Sequence, residues 1–393
     1  MSTSPPSHAD ARTTASTSTS ILQLRASVGL YGADRVVLAL DEGLRQRGAR
    51  SRLLSIQNYL LDTQPLHEAA LAAGQDAVLL PCRGRIDTRT IAALVTQIDA
   101  LRADVLHVHD YKSAFYAWLA TRRRPQVRLV ATLHGWVEAS SALRLYNKLE
   151  IALLRRFDAL VVVAEPQSER LLRAGVPHAR IHQIDNGIAD LAADRTPSAE
   201  PRTELGLDGA GPVFAAVARL SPEKNLSQLI SAFAAVVAAD GAARLLIVGD
   251  GPERQALEAQ VARLGLQACV RFAGTRNDMA RIYPLVDCLV LPSLSEGMPL
   301  VVLEAMSSGI PVIASAVGDV PRLLANTQHG CLLPPGDEAT LRAALLAAAA
   351  QPARRDAQGA AFVHAHHSGA AMAGRYLELY RDLLVDGHGR KTA

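Results

Sequence analysis

From Ile21 onward the chain alternates short apolar runs, rich in Leu and β-branched residues, with longer segments whose apolar positions recur at helical spacing. Short runs that are apolar throughout fit strands buried on both faces of a parallel sheet, and the helix-period segments between them fit the crossovers. The first half predicts strands at Ile21–Leu24, Arg52–Ile56, Ala77–Leu80, Val105–His109, Leu129–Leu133, Leu160–Val163 and Arg180–Ile184. Helices at Asp34–Arg47, Thr88–Arg102 and Ala142–Arg156 lie among the connections. The alternation breaks at DNGIADLAADRTPSAEPRTELGLDGAGP, whose Pro, Gly and Asp read as a linker. It restarts with strands at Val213–Ala218, Arg244–Val248, Val270–Phe272, Cys288–Leu291, Val312–Ala314 and Cys331–Leu333. The expected division is a polar tail at 1–20, a first α/β unit at 21–190, a linker at 191–210 and a second α/β unit at 211–370. A closing helix, 371–387, follows a completed sheet and has to pack elsewhere; crossing back onto the first unit is the economical solution.

A length of 393 residues, 49% hydrophobic and 20% charged, supports two cores and excludes a disordered chain. The net charge of +3 gives no basic stripe for nucleic acid, and 4% aromatic residues leave little for stacking platforms. The four cysteines, Cys82, Cys269, Cys288 and Cys331, form no C-x-x-C pair and mostly sit in apolar runs, as buried small hydrophobes do in a reducing compartment. No apolar stretch reaches the roughly 18 residues of a membrane span. The first twenty residues lack the apolar segment of a signal peptide, so a cytoplasmic protein is expected.

Open α/β sheets bind ligands at the carboxyl ends of their strands, and two such sheets create a cleft between them. The loops after the second unit's strands carry the chemistry. Arg219 and Lys224 leave one strand end together in RLSPEKN, a fork and a point charge suited to a diphosphate; the same loop also reads as merely solvated. Gly249 and Gly251 sit at a strand-to-helix turn that suits an anion or simply a tight turn. In LSEGMPLVVLEAM, Pro299 fits the first turn of a helix, which turns the amides of Gly297, Met298 and Leu300 toward the cleft. Glu296 precedes that helix and Glu304 lies inside it. The pair offers acceptors for neutral hydroxyls at two depths, or else a helix-end charge and a surface residue. Because Glu304 is embedded in LVVLEAM, it requires a partner.

RLSPEKN, GDGPE, FAGTRND, VLPSLSEGMPLVVLEAMSSGIPVIAS and CLLPPGDEATL, together with LHGW, IDNGI and LYGADRVVLAL in the first half, resemble the motifs of glycosyltransferase family 4 in order and spacing. These are retaining, metal-independent enzymes of GT-B fold. The resemblance implies an α/β architecture of two facing Rossmann-like domains with parallel sheets and an interdomain cleft. It implies that Arg219 and Lys224 bind the donor diphosphate, that Glu304 holds the nucleotide ribose and that Glu296 contacts donor-sugar hydroxyls. Gly297, Met298, Pro299 and Leu300 would line the sugar and phosphate pocket, with Gly251 also on the donor side. Arg276 would lie near the nucleobase, His134 would face the anomeric region, and Gly32 would approach donor phosphate or acceptor. The chain departs from the family at Tyr31, where GGAER is common, and at Gly318-Asp319-Val320-Pro321-Arg322, where GGxPE is common; the latter receives no role.

The implied partners are a nucleotide-sugar donor and a glycan or lipid-linked acceptor, with no nucleic acid, no metal and no other cofactor. Two alternatives stand beside transfer: a nucleotide-sugar epimerase of related fold, and a non-catalytic subunit that holds a nucleotide sugar. His107 and His109 in DVLHVHD face one side of a strand, and His364, His366 and His367 are expected in a loop before the last helix; neither cluster has a further metal ligand in sight. Ser141–Arg156, with Arg144, Lys148, Arg155 and Arg156, reads as a packed helix with basic edges or as a peripheral membrane contact.

Overall fold

The computed structural model describes residues 18–134, 151–189, 199–207, 211–351 and 354–389. Residues 1–17 of the polar tail, much of the linker, Gly135 and Trp136 of LHGW, and all but the end of Ser141–Arg156 lie outside the described residues, and Ser20, expected in the tail, opens the first strand.

The apolar runs become two parallel sheets. The first unit contributes β1 (Ser20–Ala26), β2 (Arg50–Ile56), β3 (Ala77–Leu80), β4 (Val105–Val108), β5 (Arg128–Leu133), β6 (Ala159–Val162) and β7 (Ile181–Gln183), in spatial order β3-β2-β1-β4-β5-β6-β7. The second contributes β8 (Val213–Val217), β9 (Arg244–Val248), β10 (Val270–Gly274), β11 (Cys288–Leu291), β12 (Val312–Ser315) and β13 (Cys331–Leu333), in order β10-β9-β8-β11-β12-β13. Helices cover both faces, so the inner strands are buried along their length. The order reverses between β1 and β4 and between β8 and β11, and such switch points are where doubly wound sheets open a binding crevice.

The helix Gly369–Gly389 starts two residues earlier than the sequence pattern implies and packs on the first unit, against the helix Gly32–Gln46. Its Met372, Tyr376 and Tyr380 are buried among Ile21, Val36, Leu40, Val105, Val130 and Val161. Among the described residues, 13 strands and one returning helix build the two units, with the chain crossing between them twice. The crossings lie side by side: Ile188 N donates to His367 O and Gly369 N to Ile188 O, both at 2.8 Å. His364 and His366 are helical, within Ala357–His366, rather than in a loop, and His367 caps that helix. The side chain of Asp356 accepts from Gly359 N at 2.8 Å and caps the start of that helix.

Candidate active site in the interdomain cleft

Three loops of the second unit are stitched together at the switch point. After β8, the chain makes a short 3-10 turn, Pro222–Lys224. Leu294 N, in the loop after β11, donates to Glu223 O at 2.8 Å, and Glu253 N, after β9, donates to Leu220 O at 3.0 Å. Gly251 has a use other than the expected approach to a ligand: a Cβ there would lie 2.4 Å from Leu220 O, so the glycine lets two loops of the protein touch.

This stitching brings Lys224 and Glu296 together. Lys224 Nζ donates to Glu296 Oε1 at 2.8 Å and Oε2 at 2.9 Å, and Ser293 Oγ donates to Oε1 at 2.7 Å. The Glu296 side chain is only 9% exposed. The lysine assigned to phosphate and the carboxylate assigned to sugar therefore hold each other, and both must exchange partners to contact a donor. Arg219 stands on the same loop, exposed, with no ion pair to any described residue.

Glu304 is the deep carboxylate. It lies in the helix Leu300–Ser307, 7% exposed, and its missing partner is Tyr283, whose hydroxyl donates to Oε2 at 2.6 Å. Burial raises the Glu304 carboxyl above its usual range, opposed by that hydrogen bond and by Arg35. Arg35, on the first unit's Gly32–Gln46 helix, reaches across the cleft: its Nη1 is 3.9 Å from Glu304 Oε1 and its Nη2 donates to Arg276 O at 3.3 Å. Tyr283 and Arg35 escape sequence reasoning. The tyrosine lies 21 residues upstream in a turn with no chemical signature, whereas Arg35 ends the LYGADR match and could have been weighed as a cleft cation.

The remaining expected residues fall on the same cleft with different engagements. Gly32 opens its helix opposite Leu300, where a Cβ would sit 3.5 Å from Leu300 Cδ1. Leu300 packs against cores of both units. Pro299 takes the N-cap position, one residue before the expected first turn, and Met298 is buried beside it. Gly297 is held by Asp319 N, which donates to its carbonyl at 2.9 Å. Gly318, left without a role by the sequence, has φ +53° and packs so closely that a Cβ would lie 2.3 Å from Gly297 O and 2.5 Å from Glu296 O. Arg322 bridges the units through Asp185 at 2.8 Å. The Arg276 guanidinium is not brought to the charged group: Asp278 holds it at 2.7 Å and Glu204 at 2.6 Å. Tyr31, the bulky departure, is exposed beside Gly32. His134 follows β5 and is half-buried, its Nε2 3.2 Å from His109 Nδ1.

A cavity of about 670 Å³ lies at the opposite, amino ends of β8, β11 and β12, lined by Phe214, Cys288, Ile313 and Cys331, and holds none of these residues. The cysteines are free, three of them buried. Among the described residues no helix is long and apolar enough to cross a membrane.

Residues 31–190 match the family model described as Glycosyltransferase Family 4, and residues 211–351 match Glycosyl transferases group 1. The chain is 27% identical to N-acetyl-alpha-D-glucosaminyl L-malate synthase of Bacillus anthracis over 60% of its own length, and spans 62% of that relative. It is 30% identical to the D-inositol 3-phosphate glycosyltransferase of Nocardia farcinica over 74% of its length, covering 68% of that enzyme. In fold it is similar to Anabaena Alr3699/HepE in complex with UDP and glucose, with a TM-score of 0.74, 21% identity, and coverage of 93% of this chain and 100% of the other. With both halves matched in order and the two sheets arranged as in GT-B glycosyltransferases, the chain belongs to glycosyltransferase family 4.

Proposed function

We propose that the protein transfers a sugar from a nucleotide diphosphate sugar to a hydroxyl acceptor, retaining the anomeric configuration and requiring no metal. The observation that carries this reading is the convergence of Arg219, Lys224, Glu296 and Glu304 on the carboxyl ends of β8 and β11, facing the first unit. Two cations and the amino end of the Leu300–Ser307 helix supply positive potential where a diphosphate departs, which is the largest expected contribution to catalysis. Glu304 accepts from the ribose hydroxyls in place of Arg35, and Glu296 turns from Lys224 to the sugar hydroxyls. In this reading Glu296 holds sugar hydroxyls rather than attacking, so the acceptor oxygen itself bonds to the anomeric carbon as the carbon–phosphate-oxygen bond breaks. The acceptor proton passes to the departing phosphate oxygen on the same face.

The acceptor in this reading is a glycan or a lipid-linked sugar, in the assembly of surface polysaccharide or glycolipid. The lipid-linked form is supported by exposed Val28, Tyr31, Leu60 and Ile86, which sit in loops after β1, β2 and β3, three neighbouring strands. Such a rim accommodates an apolar carrier at the cytoplasmic face of a membrane, with the protein bound peripherally.

Calorimetric titration with UDP-, GDP- and ADP-sugars identifies the donor, followed by transfer assays with and without EDTA and assignment of the product anomer. One donor binding far more tightly than the others, with retained configuration and EDTA-insensitive turnover, is the expected result. Abolition by EDTA, or an inverted product, refutes it. Isomerised donor in the absence of acceptor would reveal an epimerase, and tight binding with no turnover on any acceptor a non-catalytic subunit.

A further inference from the structure

The family resemblance places His134 at the anomeric region of the donor sugar, and the proposed transfer leaves His109 without a role. His109 is 3% exposed and sits between two side chains that fix its protonation. Its Nε2 lies 2.6 Å from Gln23 Oε1 on β1, and its Nδ1 lies 3.2 Å from His134 Nε2, with the two rings stacked at 5.5 Å. An amide oxygen only accepts, so His109 Nε2 carries a proton. A neutral imidazole has one N–H, which makes His109 Nδ1 an acceptor and His134 Nε2 its donor. The oxygen of Gln23, not its nitrogen, faces His109 and sets the direction of the whole chain of bonds.

Both rings are kept neutral. Burial pushes His109 and His134 well below the usual imidazole range, and the Arg25 guanidinium adds to the shift. Arg25 is fixed there: its Nη1 donates to His109 O at 2.8 Å, and its Nε pairs with buried Asp34 of the Gly32–Gln46 helix. His107, the other half of the H-x-H motif, belongs to a different seam. Its Nδ1 is 2.8 Å from Tyr380 Oη and its Nε2 is 2.8 Å from Thr132 Oγ1, which holds the returning helix to the sheet.

We infer that Gln23 and His109 are positioning residues that hold His134 as the neutral Nε2–H tautomer, so that it meets its ligand through an unprotonated Nδ1, as a hydrogen-bond acceptor for a hydroxyl. The inference rests on the proposed placement of His134 at the sugar, and it narrows the chemistry there. His134 neither protonates the leaving phosphate nor pairs with it as a cation; it recognises a hydroxyl-bearing face.

Full-length protein with 15N-labelled histidine, at pH 7 and without added nucleotide, reports the tautomer in long-range 1H–15N correlation spectra, with His134 assigned from the signal lost in His134→Gln. The expected pattern is a pyrrole-type Nε2 and a pyridine-type Nδ1 on His134. A protonated Nδ1, or a doubly protonated ring, overturns the inference whatever the reaction proves to be. Gln23→Leu should spread His134 over both tautomers and lower kcat about tenfold, the scale of one lost hydrogen bond, with donor Kd changed less than about twofold. Lost turnover in Gln23→Leu with the tautomer unchanged would overturn the positioning role. If no sugar transfer is found with any donor while the Nε2–H pattern stands, the transferase reading fails and the tautomer assignment is upheld.

Discussion

Removing the Tyr283 hydroxyl tests whether Glu304 is the deep anchor of the donor. In Tyr283→Phe the ring still fills its buried site, but the 2.6 Å hydrogen bond to Glu304 Oε2 is gone. A hydrogen bond to a charged group contributes about 1.5–3 kcal/mol, which at 1.4 kcal/mol per decade is roughly a 10–100-fold loss of nucleotide affinity. The change also has a pH signature. Burial already raises the Glu304 carboxyl and Tyr283 opposes that rise, so its removal moves the carboxyl further up. Only ionised Glu304 offers its full acceptor capacity to ribose hydroxyls, so affinity falls as pH drops through its pKa. The acid limb of the binding curve should therefore lie at higher pH in the variant. Isothermal titration with the preferred nucleoside diphosphate between pH 5 and 8, alongside thermal melts to establish folding, measures both effects. A folded Tyr283→Phe whose Kd stays within about twofold of wild type across that range would refute the role of Glu304.

Three further outcomes are expected. Lys224→Ala should lower kcat by about two orders of magnitude or more, the scale of a lost transition-state donor, with the residual activity indifferent to EDTA; unchanged kcat in a steady-state assay would exclude Lys224 from the chemistry. Gly318→Ala places a methyl against the carbonyls of Glu296 and Gly297 at a φ of +53°, so donor affinity should fall by at least about tenfold while most of the fold survives, since strain of this kind costs roughly 1–3 kcal/mol; calorimetry and circular dichroism together check it. Asp41, buried in the first unit and hydrogen-bonded to Ser51, has its carboxyl pushed up to about 6 from 3.8 by burial. A raised carboxyl gives stability that is full below pH 3.8 and lost as pH rises through about 6, an effect of about 3 kcal/mol. Asp41→Asn should flatten that decline in urea midpoints measured from pH 4.5 to 8, and parallel curves for the two proteins would contradict it.

The thirteen strands were legible because strands buried on both faces carry their own signature: CLVL and VIAS need no neighbour to be read. The charged quartet was legible for a related reason. Loop residues beside buried strands have few structural duties, so Arg219, Lys224 and Glu296 stand out, and Glu304 stands out as a carboxylate in an apolar run. What the sequence does not reveal is who holds whom. The pairing of Lys224 with Glu296 depends on three loops being hydrogen-bonded together, and the choice of Tyr283 for Glu304 depends on a turn packing under a helix. Gly251 and Gly318 illustrate the same limit. Gly251 reads as a turn residue and Gly318 receives no role, and the function of both, allowing one loop to rest on another, exists only in three dimensions. Arg276 shows the same limit, because its ion pairs with Asp278 and Glu204 are set only by the fold.

The returning helix sets an order on the making of this protein. The face of the first sheet formed by Ile21, Val105, Val130 and Val161 is covered by Met372, Tyr376 and Tyr380, side chains that leave the ribosome after the whole second unit. At about 5–20 residues per second, the 181 residues from Ile188 to Gly369 take roughly 10–40 s to synthesise. Throughout that interval the earlier-made half lacks the helix that covers its apolar face, the kind of exposure that invites aggregation during synthesis. A premature stop at the start of the returning helix, at residue 369, would spare the second unit and leave the first without its cover.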